Sequence, residues 1–221
     1  MKHSGTRSTE VCQREIDHAV FAREAAEEGI VLLKNEGLLP LKKDTKIALL
    51  GIGAEKTIKG GTGSGDVNNR ESVSIYAGMK EKNAGIVSEE WLKDYHNRYE
   101  QARAEWKEQI LEAAKHVDNP FDAYAANPFA MPDGRAVTNE DIEAAEAAVY
   151  VISRISGEGK DRRKRKGDYY LSDQEEKDLY FLNEQKIPTV LILNAGGPVE
   201  LTDLLAGTEN ICAILNISQL G

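Results

Sequence analysis

Short runs of uninterrupted apolar residues constrain this chain most. They are "KIALLG" at 46–51, "VYVIS" at 149–153, "PTVLILN" at 188–194 and "ICAILN" at 211–216. A strand with one wet face alternates apolar and polar residues, whereas a strand covered on both faces reads as a continuous apolar run. Helix signals stand between the later runs. "TNEDIEAAEAA" has Thr138 or Asn139 as its cap and acids in its first turn. "SDQEEKDLYFLNEQ" has Ser172 as cap and Glu175 at the capping-box position, and "ELTDLLAG" reads as a short helix. Strands alternating with helices predict an α/β fold, with a mostly parallel sheet sandwiched between helices.

The first half is less regular. "EIDHAVFAREAAEEGIVLLKN" reads as one helix whose apolar stripe starts at Ile16, Ala19 and Val20 and continues through Ala26 and Ile30, weakened at Gly29. Pro40 turns the chain before the first apolar run. "IKGGTGSGDVNNR" reads as a loop. From Ser88 to about Val117, Trp91, Tyr95, Tyr99, Ala102, Trp106, Ile110 and Ala113 recur at steps of three or four, making one face of a long helix. "VDNPFDAYAANPFAMPDG", with its prolines, reads as a loop. The expected organisation is a single domain over 1–221, with a leading helix and linker at 1–45 and a helical insertion and loop at 88–137.

Composition excludes several functions. A net charge of −9 argues against nucleic acid or an anionic membrane as the main partner, and "KDRRKRKG" is one short basic run without interleaved aromatics. That run is either a solvated loop or a brace for neighbouring carboxylates. Cys12 and Cys212 lie at opposite ends, and Cys212 in "ICAIL" reads as a buried free thiol. His3, His18, His96 and His116 are scattered, so neither they nor the cysteines make a metal site. "LLGIGAEKTIKG" fits a dinucleotide fingerprint at Gly51 and Gly53 but has Lys56 where a third small residue belongs. "GGTGSGD" lacks the lysine ending of a phosphate loop. No cofactor is expected. "MKHSGTRSTE" has no apolar core of a signal peptide, and no run approaches membrane-spanning length, so the expected location is cytoplasmic.

Ligands of open α/β sheets gather at the carboxyl ends of the strands. Three glycine-rich loops leave strand ends here: "GIGAEKTIKGGTGSGD", "RISGEGKDRR" and "NAGGP". Each loop alone could be plain strand punctuation. The second carries Glu158 between Gly157 and Gly159, which is either a catalytic acid or an ordinary loop residue.

Six stretches in order carry a resemblance: "AREAAEEGIVLLKNEGLLPL", "KIALLGIGA", "GGTGSGDVN", "RISGEGKDR" with "GDYYLSDQE", "PTVLILNAGGPVEL" and "AILNISQLG". Together they resemble the second domain of family 3 glycoside hydrolases, the β-glucosidase type, over nearly the whole chain. The resemblance implies an α/β sandwich and an active site split over two domains. A (β/α) barrel would carry the nucleophile, and this domain would lend a loop with the general acid/base, here Glu158. Ser64 in "GTGSGD" would reach the sugar. Gly63, Gly65, Gly157, Gly159, Asp161 and Arg162 would support these loops. The implied substrate is a β-linked glucoside or oligosaccharide, and oligomers are compatible with it.

The chemistry agrees with this assignment. Retaining glycoside hydrolysis needs two carboxyl groups about 5–5.5 Å apart, one attacking and one delivering a proton. The donor must keep its proton near neutral pH, so Arg162 and Arg163 are expected to point away from it, toward Asp161 or Asp168. Nothing in the chain resembles the nucleophile region. The sequence therefore reads as the N-terminal part of a member with reversed domain order, or as a stand-alone piece, and as inactive by itself. The rival reading is a non-catalytic carbohydrate-binding or interaction module that kept the fold.

Overall fold

In the computed structural model, which describes residues 9–61, 70, 72–156 and 162–219, the chain builds a six-stranded sheet. The strands are β1 (Val31–Asn35), β2 (Lys46–Leu50), β3 (Gly85–Ile86), β4 (Ala147–Arg154), β5 (Thr189–Ala195) and β6 (Ile211–Asn216). Their order is β1-β6-β5-β4-β2-β3, with every pair parallel except β1 with β6. All residues of β4 and β5 are buried. Successive strand residues point to opposite faces, so both faces of the sheet centre are covered, as the apolar runs predict.

The cover comes from helices between the strands. The core joins Leu49 and Leu50 of β2, Val151 and Ile152 of β4 and Leu191 of β5. Trp91 and Tyr95 of α3 (Glu89–Ala113) and Leu179 and Leu182 of α6 (Asp173–Glu184) complete it. Helix α6 starts where the sequence says. The Ser172 hydroxyl accepts the Glu175 amide at 3.2 Å, and the Glu175 carboxylate accepts the Ser172 amide at 2.8 Å. The remaining helices are α1 (Gln13–Gly29), α2 (Ile75–Glu81), α4 (Pro120–Ala126), α5 (Asn139–Ile142) and α7 (Thr202–Gly207).

The structure departs from the sequence reading in four places. "IVLLKN" is not the end of the first helix. Val31–Asn35 pairs antiparallel with β6, from Val31 opposite Asn216 to Asn35 opposite Ala213. Helix α1 stops before it and buries no residue, and its stripe stays exposed at Ile16 and Val20. "TNEDIEAAEAA" forms its capping box between Thr138 and Asp141 but yields only the short α5. Pairing with β2 recruits Ala147 and Ala148 into β4. It begins at Glu146, whose amide donates to the Lys46 carbonyl at 2.8 Å and whose carboxylate accepts the Lys46 amide at 2.9 Å. The proline-rich stretch contains α4, because Pro120 suits a first helical turn and Asn119 Oδ1 accepts the Phe121 amide at 3.1 Å. Cys212 is a free thiol, but half-buried rather than buried.

Glycines at the end of β2 serve packing. Gly51 has φ +90°, and a Cβ there would sit 2.3 Å from the Val151 carbonyl oxygen. A Cβ on Gly53 would sit 1.8 Å from Ser153 Oγ. The apparent nucleotide fingerprint is therefore a close crossing of the β2 exit over β4. Gly53→Ala is expected to destabilise the chain by about 1–3 kcal/mol through overpacking. Urea denaturation checks this, and an unchanged midpoint would mean that the crossing is loose.

Candidate active-site edge

Because β2, β4, β5 and β6 are neighbours and run parallel, their four exits leave one edge of the sheet. Asn194, at the end of β5 and 1% exposed, ties three of these exits together. Its Oδ1 accepts the Ile58 amide at 2.7 Å, from the β2 exit, and the Ser153 hydroxyl at 2.8 Å, from β4. Its Nδ2 donates to the Ile58 carbonyl at 2.8 Å and to the Ser218 carbonyl at 2.7 Å, beyond β6. Both donors and both acceptor sites of the amide are used. Gln219 adds a second tie. It accepts the Ser156 hydroxyl at 3.0 Å and donates to the Arg154 carbonyl at 2.9 Å. Gly196 makes room for this tie, since a Cβ there would lie 2.9 Å from both Gln219 Oε1 and Ser156 Oγ.

Charges brace the side of the β4 exit. Arg154, the last residue of β4, is 5% exposed and binds Glu175 through two parallel bonds, Nη1 to Oε1 at 2.7 Å and Nη2 to Oε2 at 2.6 Å. Bidentate charge-assisted pairs of this kind fix orientation as well as energy. Arg154 Nε also donates to the Asp168 carbonyl at 2.8 Å. Arg162 donates from Nε to Asp168 Oδ1 at 2.8 Å, from Nη1 to the Pro198 carbonyl at 2.8 Å, and from Nη2 to the Asp168 carbonyl. Of the two partners expected for Arg162, the structure therefore shows Asp168. Burial alone would raise the Asp168 pKa, but the Arg162 guanidinium and the Arg163 amide outweigh it and hold the carboxyl below its usual value. The Asp168 carboxylate is thus ill suited to donate a proton, since both its oxygens are already committed.

Among the described residues, one carboxyl group has its pKa raised. Asp178 on α6 is 2% exposed, and its burial favours the protonated form. It accepts the Val137 amide at 3.0 Å and the Tyr150 hydroxyl at 3.1 Å, below the edge in the middle of β4, so it ties α6 to the sheet.

Glu158, Gly157, Gly159 and Asp161 lie outside the described residues, as do Ser64, Gly63 and Gly65. Arg162 is the one expected site residue that the structure describes. Sequence reasoning passed over Asn194, Arg154 and Gln219. Two signals were available: a polar amide and a guanidinium each stand at the end of an otherwise apolar strand, where a buried polar group must find partners. Among the described residues, no cluster of histidine, cysteine or acidic residues could hold a metal ion. No described helix is long and apolar enough to cross a membrane.

A mostly parallel sheet with four knitted exits defines an α/β domain built to present loops from its carboxyl edge. The chain belongs to family 3 of the glycosyl hydrolases: residues 30–221 match the glycosyl hydrolase family 3 C-terminal domain. It is similar to beta-glucosidase A of Butyrivibrio fibrisolvens, at 29% identity over 208 residues, covering 84% of this chain and 23% of that protein. Among solved structures it is similar to beta-glucosidase 3B of Thermotoga neapolitana in complex with glycerol, at 36% identity and a TM-score of 0.68, covering 93% of this chain and 27% of that one. A beta-glucosidase from Paenibacillus barengoltzii superimposes with a TM-score of 0.67 at 27% identity, over 92% of this chain and 21% of the other. The chain thus spans about a quarter of the length of such relatives.

Proposed function

We propose that this chain is the acid/base-bearing domain of a retaining β-glycosidase of β-glucosidase type, acting on terminal β-linked sugars. Glu158 is the general acid/base and Ser64 a sugar contact. The nucleophile belongs to a (β/α) barrel elsewhere in the enzyme. One observation carries this reading. The residues on both sides of the Glu158 segment are fastened at the carboxyl edge, Ser156 to Gln219 and Arg162 to Asp168 and Pro198. The same edge receives the exit of β2, which leads into the Ser64 segment. The similarity to beta-glucosidases gives that edge its chemistry.

In the first step Glu158 protonates the leaving glycosidic oxygen while the nucleophile attacks the anomeric carbon. In the second it removes a proton from water as that water attacks the anomeric carbon, which breaks the bond to the nucleophile and releases the sugar. The carboxylate of Glu158 needs a raised pKa for the first step. The engagement of Arg162 by Asp168 and Pro198 keeps that cation occupied.

Two experiments follow. The chain by itself is expected to hydrolyse no aryl β-glucoside above background, because the nucleophile is elsewhere. Turnover by the purified chain, with contaminants excluded, would overturn the split site. In the full-length enzyme, Ser64→Ala is expected to cost about 1–2 kcal/mol in kcat/KM, the scale of one hydrogen bond to substrate. Unchanged kcat/KM would leave Ser64 a turn residue.

A further inference from the structure

We infer that Asp168 is a positioning residue for the proton-transfer step, clasping the neck of the loop that carries Glu158 through the arginines on its two sides. The inference rests on the reading of Glu158 above. Arg154 ends β4 before the loop, and Arg162 is the first described residue after it. Both donate to one atom, the Asp168 carbonyl oxygen, Arg154 from Nε at 2.8 Å and Arg162 from Nη2. The Asp168 side chain completes the grip. Its Oδ1 accepts Arg162 Nε at 2.8 Å, and its Oδ2 accepts the Arg163 amide at 2.7 Å.

The clasp is anchored at both ends. Arg154 is locked by Glu175, which also caps α6. Arg162 reaches past Gly197 to the Pro198 carbonyl, and a Cβ on Gly197 would lie 3.4 Å from Nη1. A continuous line of charge-assisted bonds therefore runs from the start of α6 through the neck of the loop to the exit of β5. Only a planar guanidinium makes these divergent contacts at once, and a lysine at 162 would keep the charge but not the fork. Proton donation tolerates little misplacement, so loosening the neck should fall on the step that needs the proton.

The test compares Arg162→Lys and Asp168→Asn with Glu158→Ala, all in the full-length enzyme. An alkyl β-glucoside and a dinitrophenyl β-glucoside are assayed with and without azide, and thermal unfolding is followed in parallel. Arg162→Lys is expected to lose about 10- to 100-fold in kcat/KM on the alkyl substrate and under about 3-fold on the dinitrophenyl one, with azide speeding the latter. Equal losses on both substrates, while Glu158→Ala keeps its leaving-group dependence, would show a structural brace only and overturn the clasp. If Glu158→Ala itself lacks that dependence, the assignment of Glu158 falls and the clasp falls with it. Should Arg162→Lys fail to unfold cooperatively, Asp168→Asn decides. It keeps the carbonyl and removes the charged grip, and it should show the same selective loss. No loss, or an equal loss on both substrates, overturns the inference.

Discussion

Glu158→Ala in the full-length enzyme is expected to lower turnover of β-glucosides with poor leaving groups by about 10²–10⁴-fold, the scale of general acid catalysis. Formation of the glycosyl-enzyme from an activated dinitrophenyl glucoside should be nearly spared, because that leaving group departs without a proton. Breakdown of the glycosyl-enzyme should then limit the rate, since water lacks its general base. Added azide should accelerate it, because a small anion attacks without deprotonation. Matched assays of the two substrates, with and without azide, separate this role from a structural one. Equal losses and no azide effect would remove Glu158 from the chemistry. The committed carboxylate of Asp168 could not take its place, because its two oxygens accept Arg162 and the Arg163 amide.

The second large effect concerns stability. Glu175→Ala is expected to destabilise the chain by about 3–5 kcal/mol, the usual cost of leaving one member of a buried ion pair unpartnered. Arg154 would keep its charge at 5% exposure with no carboxylate opposite, and the Ser172 amide would lose its cap acceptor. Replacing both members by apolar residues, Arg154→Met with Glu175→Leu, should recover much of the loss, because the desolvation cost then disappears with the pair. Urea denaturation of the two variants beside the parent chain checks both statements. A Glu175→Ala loss under about 1 kcal/mol would place the pair among solvent-screened surface bridges instead.

The same pair shows how an edge like this is built. Arg154 interrupts an apolar strand at its last position and Glu175 opens the next helix, so one contact sets the angle at which α6 leaves the sheet and anchors the neck of the intervening loop. Asn194 does the equivalent work without charge, holding the β2, β4 and β6 exits in one register. Rigid exits of this kind fix the spacing of the residues that lead into the glycine-bearing segments.

The sequence by itself determined the elements whose cause is local or repeats along the chain. The apolar runs of β2, β4, β5 and β6, the aromatic stripe of α3 and the capping box of α6 follow from period and short-range hydrogen bonding, and the structure has each of them. It also established the mostly parallel sheet and the family, because motifs in order survive without coordinates. What only tertiary structure decided depends on partners distant in the chain. Val31–Asn35 is a strand because β6 offers it an edge from Ala213 to Asn216, and an exposed edge strand carries no period to distinguish it from a helix end. Ala147 and Ala148 are strand because β2 pairs with them across 100 residues, as the contact of Lys46 with Glu146 shows. The meeting of Arg154 and Arg162 on one carbonyl, and of three exits on Asn194, is set by strand order. Strand order is fixed by burial of the whole sheet, a global quantity that no short stretch encodes.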